Sequence, residues 1–232
     1  VEKPGDMLAL MGRTLPTHAA TYDSLFADWR RAATAQSDAV QDDAALRTML
    51  RRILALPDEV TATRDGAGII TRGQGDRVPS TWTPGKGRPL VVIHPEGRAA
   101  GAALAEVAAA RKARRPVLIV EVFQTGESVA PRARTHNHWL TFNVSDDQAR
   151  VQDIAAALAT LPSGVAADVL AVGDARYWAA VAVAAAGGGH RVTFDVATLA
   201  GDDATLEKAC FVPGLQRAGG MRVVARMLGR TL

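Results

Sequence analysis

The chain has 232 residues, is 48% apolar and carries a formal net charge of +3. That length and apolar content suit one large domain with a substantial core, and no apolar run is long enough to span a bilayer. A single cysteine, Cys210, excludes an intramolecular disulfide framework and a cysteine-rich metal site. The arginines are dispersed without an interleaved aromatic stripe, which argues against a nucleic-acid partner.

In chain order, residues 1–57 read as an N-terminal helical arm packed on the main domain. Apolar residues recur at helical spacing in 22–29 and 44–56, and Pro57 stops the second run. Val1 in place of Met, with no leader-like segment, gives the expectation of a processed or excised piece. Short β-like runs at 60–64, 68–71 and 77–83, separated by Gly- and Asp-rich turns, read as antiparallel edge strands. A strand–helix alternation follows: strand 90–94, helix 99–114, strand 116–123, helix 145–161, strand 169–172, helix 175–187, strand 191–195. The cluster Arg111-Lys112-Ala113-Arg114-Arg115 suits a helix end, where cations oppose the macrodipole. Ser145 and Gln148 form a capping-box pattern. The strands are continuously apolar, as expected of a parallel sheet covered on both faces. The tail holds a Cys-Phe-Val-Pro-Gly turn and a short helix over 220–228.

Several constellations carry possible chemistry, each beside a plainer reading. The stretch from Val169 to Trp178 is an apolar strand that turns sharply at Gly173-Asp174-Ala175-Arg176-Tyr177 into a helix. His94 ends a strand at the carboxyl edge, where ligands gather in open α/β sheets; the plainer reading is a structural turn histidine. Glu121, Glu127, Asp174 and Asp195 are candidates for a carboxylate cluster suited to glycoside hydrolysis; pairing of Glu127 and Asp174 with arginines is the plainer reading. His136-Asn137-His138 lies in the long loop 124–140, and two histidines on a loop do not make a metal site. Cys210 sits among apolar neighbours and reads as core. Ser128 has no base placed for it, and His190 belongs to the sheet edge opposite the turn. Trp139 and Trp178 flank the turn and read as core before sugar platforms. The glycine runs at 73–75 and 187–189 do not follow a strand and open a helix, so neither is a phosphate loop.

Taken together, several segments from Arg77 onward resemble the α/β-hydrolase superfamily, and bacterial acetyl xylan esterase-like and prolyl-oligopeptidase-like proteins in particular. The residues are His94-Pro95-Glu96-Gly97 after the third family strand, the Glu121 to Ser128 segment after the fourth, Phe142-Asn143, Arg150 with Asp153, and Phe211-Val212-Pro213-Gly214 with Gly219-Gly220. The resemblance implies an α/β-hydrolase-like, mostly parallel sheet flanked by helices over 58–232, lacking the last strands. It implies an ester-hydrolase ancestry, carboxylic esters such as acetylated polysaccharide as the substrate class, no metal or other cofactor, and a secreted or periplasmic location.

Two departures bear on activity. The family keeps a serine nucleophile in a G-x-S-x-G elbow; here that position is Ala175, and Tyr177 replaces the closing glycine. The family's acid and histidine follow later strands, and their usual positions have no counterpart after residue 195. Oxyanion-hole or pocket candidates remain: His94, Glu96, Gly97, Glu127, Asp174, Arg176 and Tyr177, with amides of Glu96 or Gly97 and of Arg176 as donors. The expectation is an esterase-like domain, catalytically degenerate or incomplete on its own, that binds an ester or carbohydrate or serves as a structural partner. The alternative is an active hydrolase completed by another segment or subunit. An open sheet edge predicts a homodimer or a companion domain covering it.

Overall fold

A computed structural model describes residues 19–73, 75–132 and 138–229. Seven strands form one mixed sheet in the order β1-β2-β3-β5-β4-β6-β7. They are β1 (Ala62–Arg64), β2 (Ile69–Arg72), β3 (Arg77–Thr83), β4 (Leu90–Ile93), β5 (Val117–Val120), β6 (Asp168–Ala171) and β7 (Arg191–Val192). The first three run antiparallel to their neighbours, while β5, β4, β6 and β7 are mutually parallel. Helices flank the sheet: α1 (Tyr22–Ala39), α2 (Asp43–Ile53), α3 (Arg98–Ala102), α4 (Ala105–Lys112), α5 (Trp139–Phe142), α6 (Asp146–Ala159), α7 (Ala175–Ala186), α8 (Asp203–Ala209) and α9 (Gly220–Met227). The architecture is a mixed α/β sheet flanked by helices, with α1 and α2 preceding the first strand.

Alternation along the parallel strands divides the core. Leu90, Val92, Val117, Ile119 and Leu170 pack with Val107 and Ala110 of α4 on one face. Val91, Ile93, Leu118, Val120, Val169 and Ala171 pack on the other face with α6 and α7, behind which lie α2 and α9. Alanines along α7 keep its surface low, so α6, α2 and α9 pack closely against it. Leu46, Leu50 and Leu54 carry α2 into this core.

The chain leaves β4 toward β5 through α3 and α4, then returns through α6 to β6 on the other side of β4. That reversal puts a topological switch point at the carboxyl ends of β4 and β6, the usual crevice of an open α/β sheet. Both edge strands are short, a common way of blunting an edge.

Several elements differ from the sequence reading, among them the short α5, which was not expected, and the strand expected over 116–123, which ends at Val120. The helix expected over 99–114 is two helices, because Leu104 takes extended backbone and packs its side chain on the α4-side core. The strand expected over 191–195 ends at Val192; Asp195 instead caps a short 3₁₀ turn by accepting the Ala197 amide at 3.0 Å. The chain between them leaves the sheet after Thr193 donates to the Val169 carbonyl at 3.0 Å. Helix α8 was not expected; Asp202 caps it by accepting the Thr205 amide at 2.9 Å.

Candidate functional site

At the switch point the turns after β4 and β6 touch. A Cβ built on Gly173 would meet the Pro95 ring at 3.5 Å, so the proline occupies the space between the two turns. Pro95 itself has no amide proton. Glu96 donates its amide to His94 Nδ1 at 3.1 Å, and Gly97 donates to the His94 carbonyl at 3.0 Å. His94 is therefore the hub of its own turn, and both candidate donor amides there are engaged within it.

The turn after β6 is built differently from a strained nucleophile elbow. The positive φ falls on Gly173 (53°), whereas Ala175 is outside the left-handed region and is the first residue of α7. Its methyl group is fully buried in the main core. Ala175 donates its amide to the Val172 carbonyl at 3.1 Å, and the Arg176 amide donates to the Gly173 carbonyl at 3.3 Å. The Arg176 guanidinium bends back to the same carbonyl, with Nε at 3.2 Å. Asp174 is exposed and makes no side-chain cap on α7. Tyr177 is buried; burial raises its phenol above the ordinary value, partly offset by a hydrogen bond with the Ala200 backbone.

The loop after β5 is fastened by a buried carboxylate. Glu121 is 1% exposed and accepts the Arg98 amide at 2.7 Å, Arg98 Nε at 3.1 Å and the Glu127 amide. Two turns thereby close over one side chain. Gly97 (φ 89°) and Gly126 (φ 46°) are needed there: a Cβ on Gly97 would lie 2.6 Å from the Gly126 Cα, and one on Gly126 2.1 Å from Glu121 Oε1. Glu127 points outward and pairs with Arg98 at 3.0 Å. Of the four carboxylates considered for a cluster, Glu121 and Glu127 thus share one arginine, Asp195 caps its own turn and Asp174 faces solvent. Among the described residues no group of three or more His, Cys, Asp or Glu is arranged to hold a metal ion.

Helix α6 gives loop-holding roles to Arg150 and Asp153, which the sequence reading named only for the resemblance, to Ser145, named only as a cap, and to Asp147, which it did not name. Asp153 accepts the Phe123 amide at 2.8 Å while Arg150 Nε donates to the Phe123 carbonyl at 3.0 Å. Asp147 accepts the Phe211 amide at 2.7 Å and pairs with Arg150 at 2.7 Å, and Ser145 donates its hydroxyl to the Phe211 carbonyl. One helix therefore grips the backbone amide and carbonyl of both Phe123 and Phe211. The signal was in the sequence: Asp147, Arg150 and Asp153 at i, i+3 and i+6 form a polar stripe on a helix that is otherwise mostly apolar.

Burial pushes Asp153 up to about 7 against the pull of Arg72, whose Nη1 is 3.0 Å away. Burial also raises Asp147, against the Phe211 amide and Arg150. Burial, with the nearby Asp147 charge, raises the Cys210 thiol, so it is an inert core residue. Trp178 is core: its indole donates to the Ala209 carbonyl at 3.0 Å and Arg150 stacks on its ring at 4.4 Å. Trp139 is partly exposed under Arg132, 5.1 Å from the ring. Ser128 ends a short 3₁₀ turn. His190 lies at the opposite sheet edge, where Nδ1 accepts the Ala167 amide at 3.0 Å. His138 precedes α5 with φ 62°; His136 and Asn137 lie outside the described residues.

No family model matches the chain, and no curated protein matches it. Among solved structures it is similar to acetyl xylan esterase 1 from Thermoanaerobacterium sp. JW/SL YS485, at 13% identity and a TM-score of 0.46. The likeness covers 79% of this chain and 75% of that one.

Proposed function

We propose that this chain is an α/β-hydrolase-like domain that carries out no acyl transfer at its strand–helix turn and works as a binding or structural partner. The observation that carries this reading is the seating of Ala175, a side chain with no nucleophilic atom, fully buried and outside the strained backbone region. An acyl-transfer site needs an exposed nucleophile and preorganised donors aimed at the developing oxyanion. Here the amides of Glu96, Gly97 and Arg176 each donate to a group of their own turn. Glu121, Asp147 and Asp153 likewise spend their acceptors on fastening loops, so their arrangement supports a rigid edge. An ester or carbohydrate ligand, if bound, would meet Glu96, Asp174 and Glu127 at the surface and leave unchanged.

The test is incubation of the purified chain with a fluorophosphonate probe and with a p-nitrophenyl ester series. The expected result is no covalent adduct by mass spectrometry and no saturable turnover. Stoichiometric labelling of one residue would overturn the proposal. Turnover that appears only with a companion polypeptide would favour the completed-hydrolase alternative.

A further inference from the structure

Helix α1 is amphipathic, yet its apolar stripe is not buried in the core. Tyr22, Leu25, Phe26, Trp29, Ala32 and Ala33 recur at i, i+3, i+4, i+7, i+10 and i+11, the pattern of a helix face that packs on a partner. Of its 18 residues only Ser37 is buried. Tyr22, Phe26 and Trp29 are 80%, 50% and 64% exposed and touch one another in a continuous aromatic row. Isolated helices of this length are marginal in water, and packing of the apolar face supplies most helix stability.

The helix is tied near its C-terminal end and at its middle. Arg222 of α9 pairs with Asp38 and donates to Ser37 Oγ at 2.8 Å, and Arg226 donates to the Val40 and Gln41 carbonyls at 2.9 and 2.8 Å. Midway along α1, Arg30 pairs with Asp203 at 2.8 Å. A groove of about 860 Å³ runs along the stripe from Phe26 to Gln36. That span is about 15 Å of helix, or roughly three turns. Three arginines, Arg30, Arg217 and Arg222, line it against one aspartate, Asp203. Arg30 and Arg222 already have carboxylate partners, whereas Arg217 is exposed at the rim with none among the described residues.

We infer that this groove takes an acidic amphipathic helix of a partner protein. The apolar row offers an exposed face at helical spacing beside the groove, and helices pack at about 8–10 Å between axes when ridges seat in such grooves. The excess of arginine selects for carboxylates on the incoming helix, with Arg217 as the group left to pair. A second copy of this chain fits less well. Its own α1 carries Asp23, Asp28 and Asp38 against Arg30 and Arg31, but Asp28 is paired with Arg31 and Asp38 with Arg222, and self-association would bring the arginine rims of both copies together. The inference stands on different residues from the turn at Ala175 and is tested without reference to ester chemistry.

The experiment is selection of a phage-displayed library of helical peptides, randomised on one face and its flanks, on the immobilised full chain. The expected binders carry bulky apolar residues at i, i+3 or i+4, and i+7, with Glu or Asp beside them. Trp29→Ala is expected to reduce their capture at least tenfold and Arg217→Glu at least fivefold, with melting temperatures unchanged because both side chains are exposed. Failure to recover binders, binders flanked by Lys or Arg, or capture indifferent to both variants would overturn the inference. So would a solution mass of two chains that falls to one in Trp29→Ala, which would give the groove to a second copy.

Discussion

The carboxyl edge of the sheet and the stripe of α1 have opposite economies. At the edge, polar groups are abundant and turned inward: Glu121 closes two turns, Arg150 and Asp153 hold the Phe123 peptide, and Ser145 and Asp147 hold the Phe211 peptide. On α1, apolar groups are abundant and turned outward. A ligand site needs capacity left unsatisfied by the fold. By that measure the polar groups described at the sheet edge are engaged within the fold, whereas the apolar face of α1 is not.

The sharpest way to break the comparison is to ask whether the edge really is structural. Removing Glu121 leaves the Arg98 and Glu127 amides and part of a guanidinium without their acceptor. Breaking one partner of a buried charged pair costs about 3–5 kcal/mol, on the order of 10 °C in melting temperature for a domain of this size. Glu121→Ala is expected to show that loss in thermal unfolding. Glu127→Ala, exposed on the same loop, should stay within about 0.5 kcal/mol of the parent. Equal effects from the two would mean that the loop is not fastened from beneath and that its carboxylates are free for other work.

A smaller effect separates the α6 grip from simple burial. Asp153 has its pKa raised from 3.8 to about 7, so the folded state holds its proton more tightly than the unfolded chain. Its contribution to stability is therefore most favourable below about pH 4 and declines as pH rises toward 7. His190, lowered by burial, slopes the other way, because its charging at low pH opposes folding. The difference between the parent and Asp153→Asn cancels the histidine. Denaturant unfolding from pH 4 to 8 should show the parent losing up to about 4 kcal/mol relative to the variant. A flat difference would place Asp153 as an ordinary ionised partner of Arg72.

Local features were the ones legible in the sequence. The span of β3 follows from its residues, and the Ser145–Gln148 capping box forms with both bonds in place, at 3.1 and 2.8 Å. The switch-point turns were placed because an apolar run ending in glycine has few other readings. Illegible parts depended on distant partners. Glu121 looked like one of several candidate cluster carboxylates, because Arg98 lies 23 positions earlier and reaches it only once β4 and β5 pair in register. The break at Leu104 depends on a cluster assembled from three strands. The stripe on α1 has the same periodicity as the stripe on α2. Periodicity does not distinguish the helix that Leu46, Leu50 and Leu54 bury from the one that leaves Trp29 exposed.

The last prediction addresses the turn at Ala175. If the edge kept a hydrolase geometry and lacked only its nucleophile, Ala175→Ser would restore a reactive hydroxyl that a fluorophosphonate probe labels. The geometry predicts otherwise. The serine hydroxyl would enter the core beneath α7, where a buried hydroxyl costs about 1 kcal/mol or more unless it finds an acceptor. The Arg176 amide already donates to Gly173, and His94 Nδ1 already accepts the Glu96 amide, so neither an oxyanion donor nor a base is poised beside it. The variant should therefore be slightly less stable and equally silent. Labelling above the parent level would show that the turns open readily enough to expose the position. The inward-facing amides would then be a resting state of a usable site, and the contrast between a spent edge and a free helix would lose its first half.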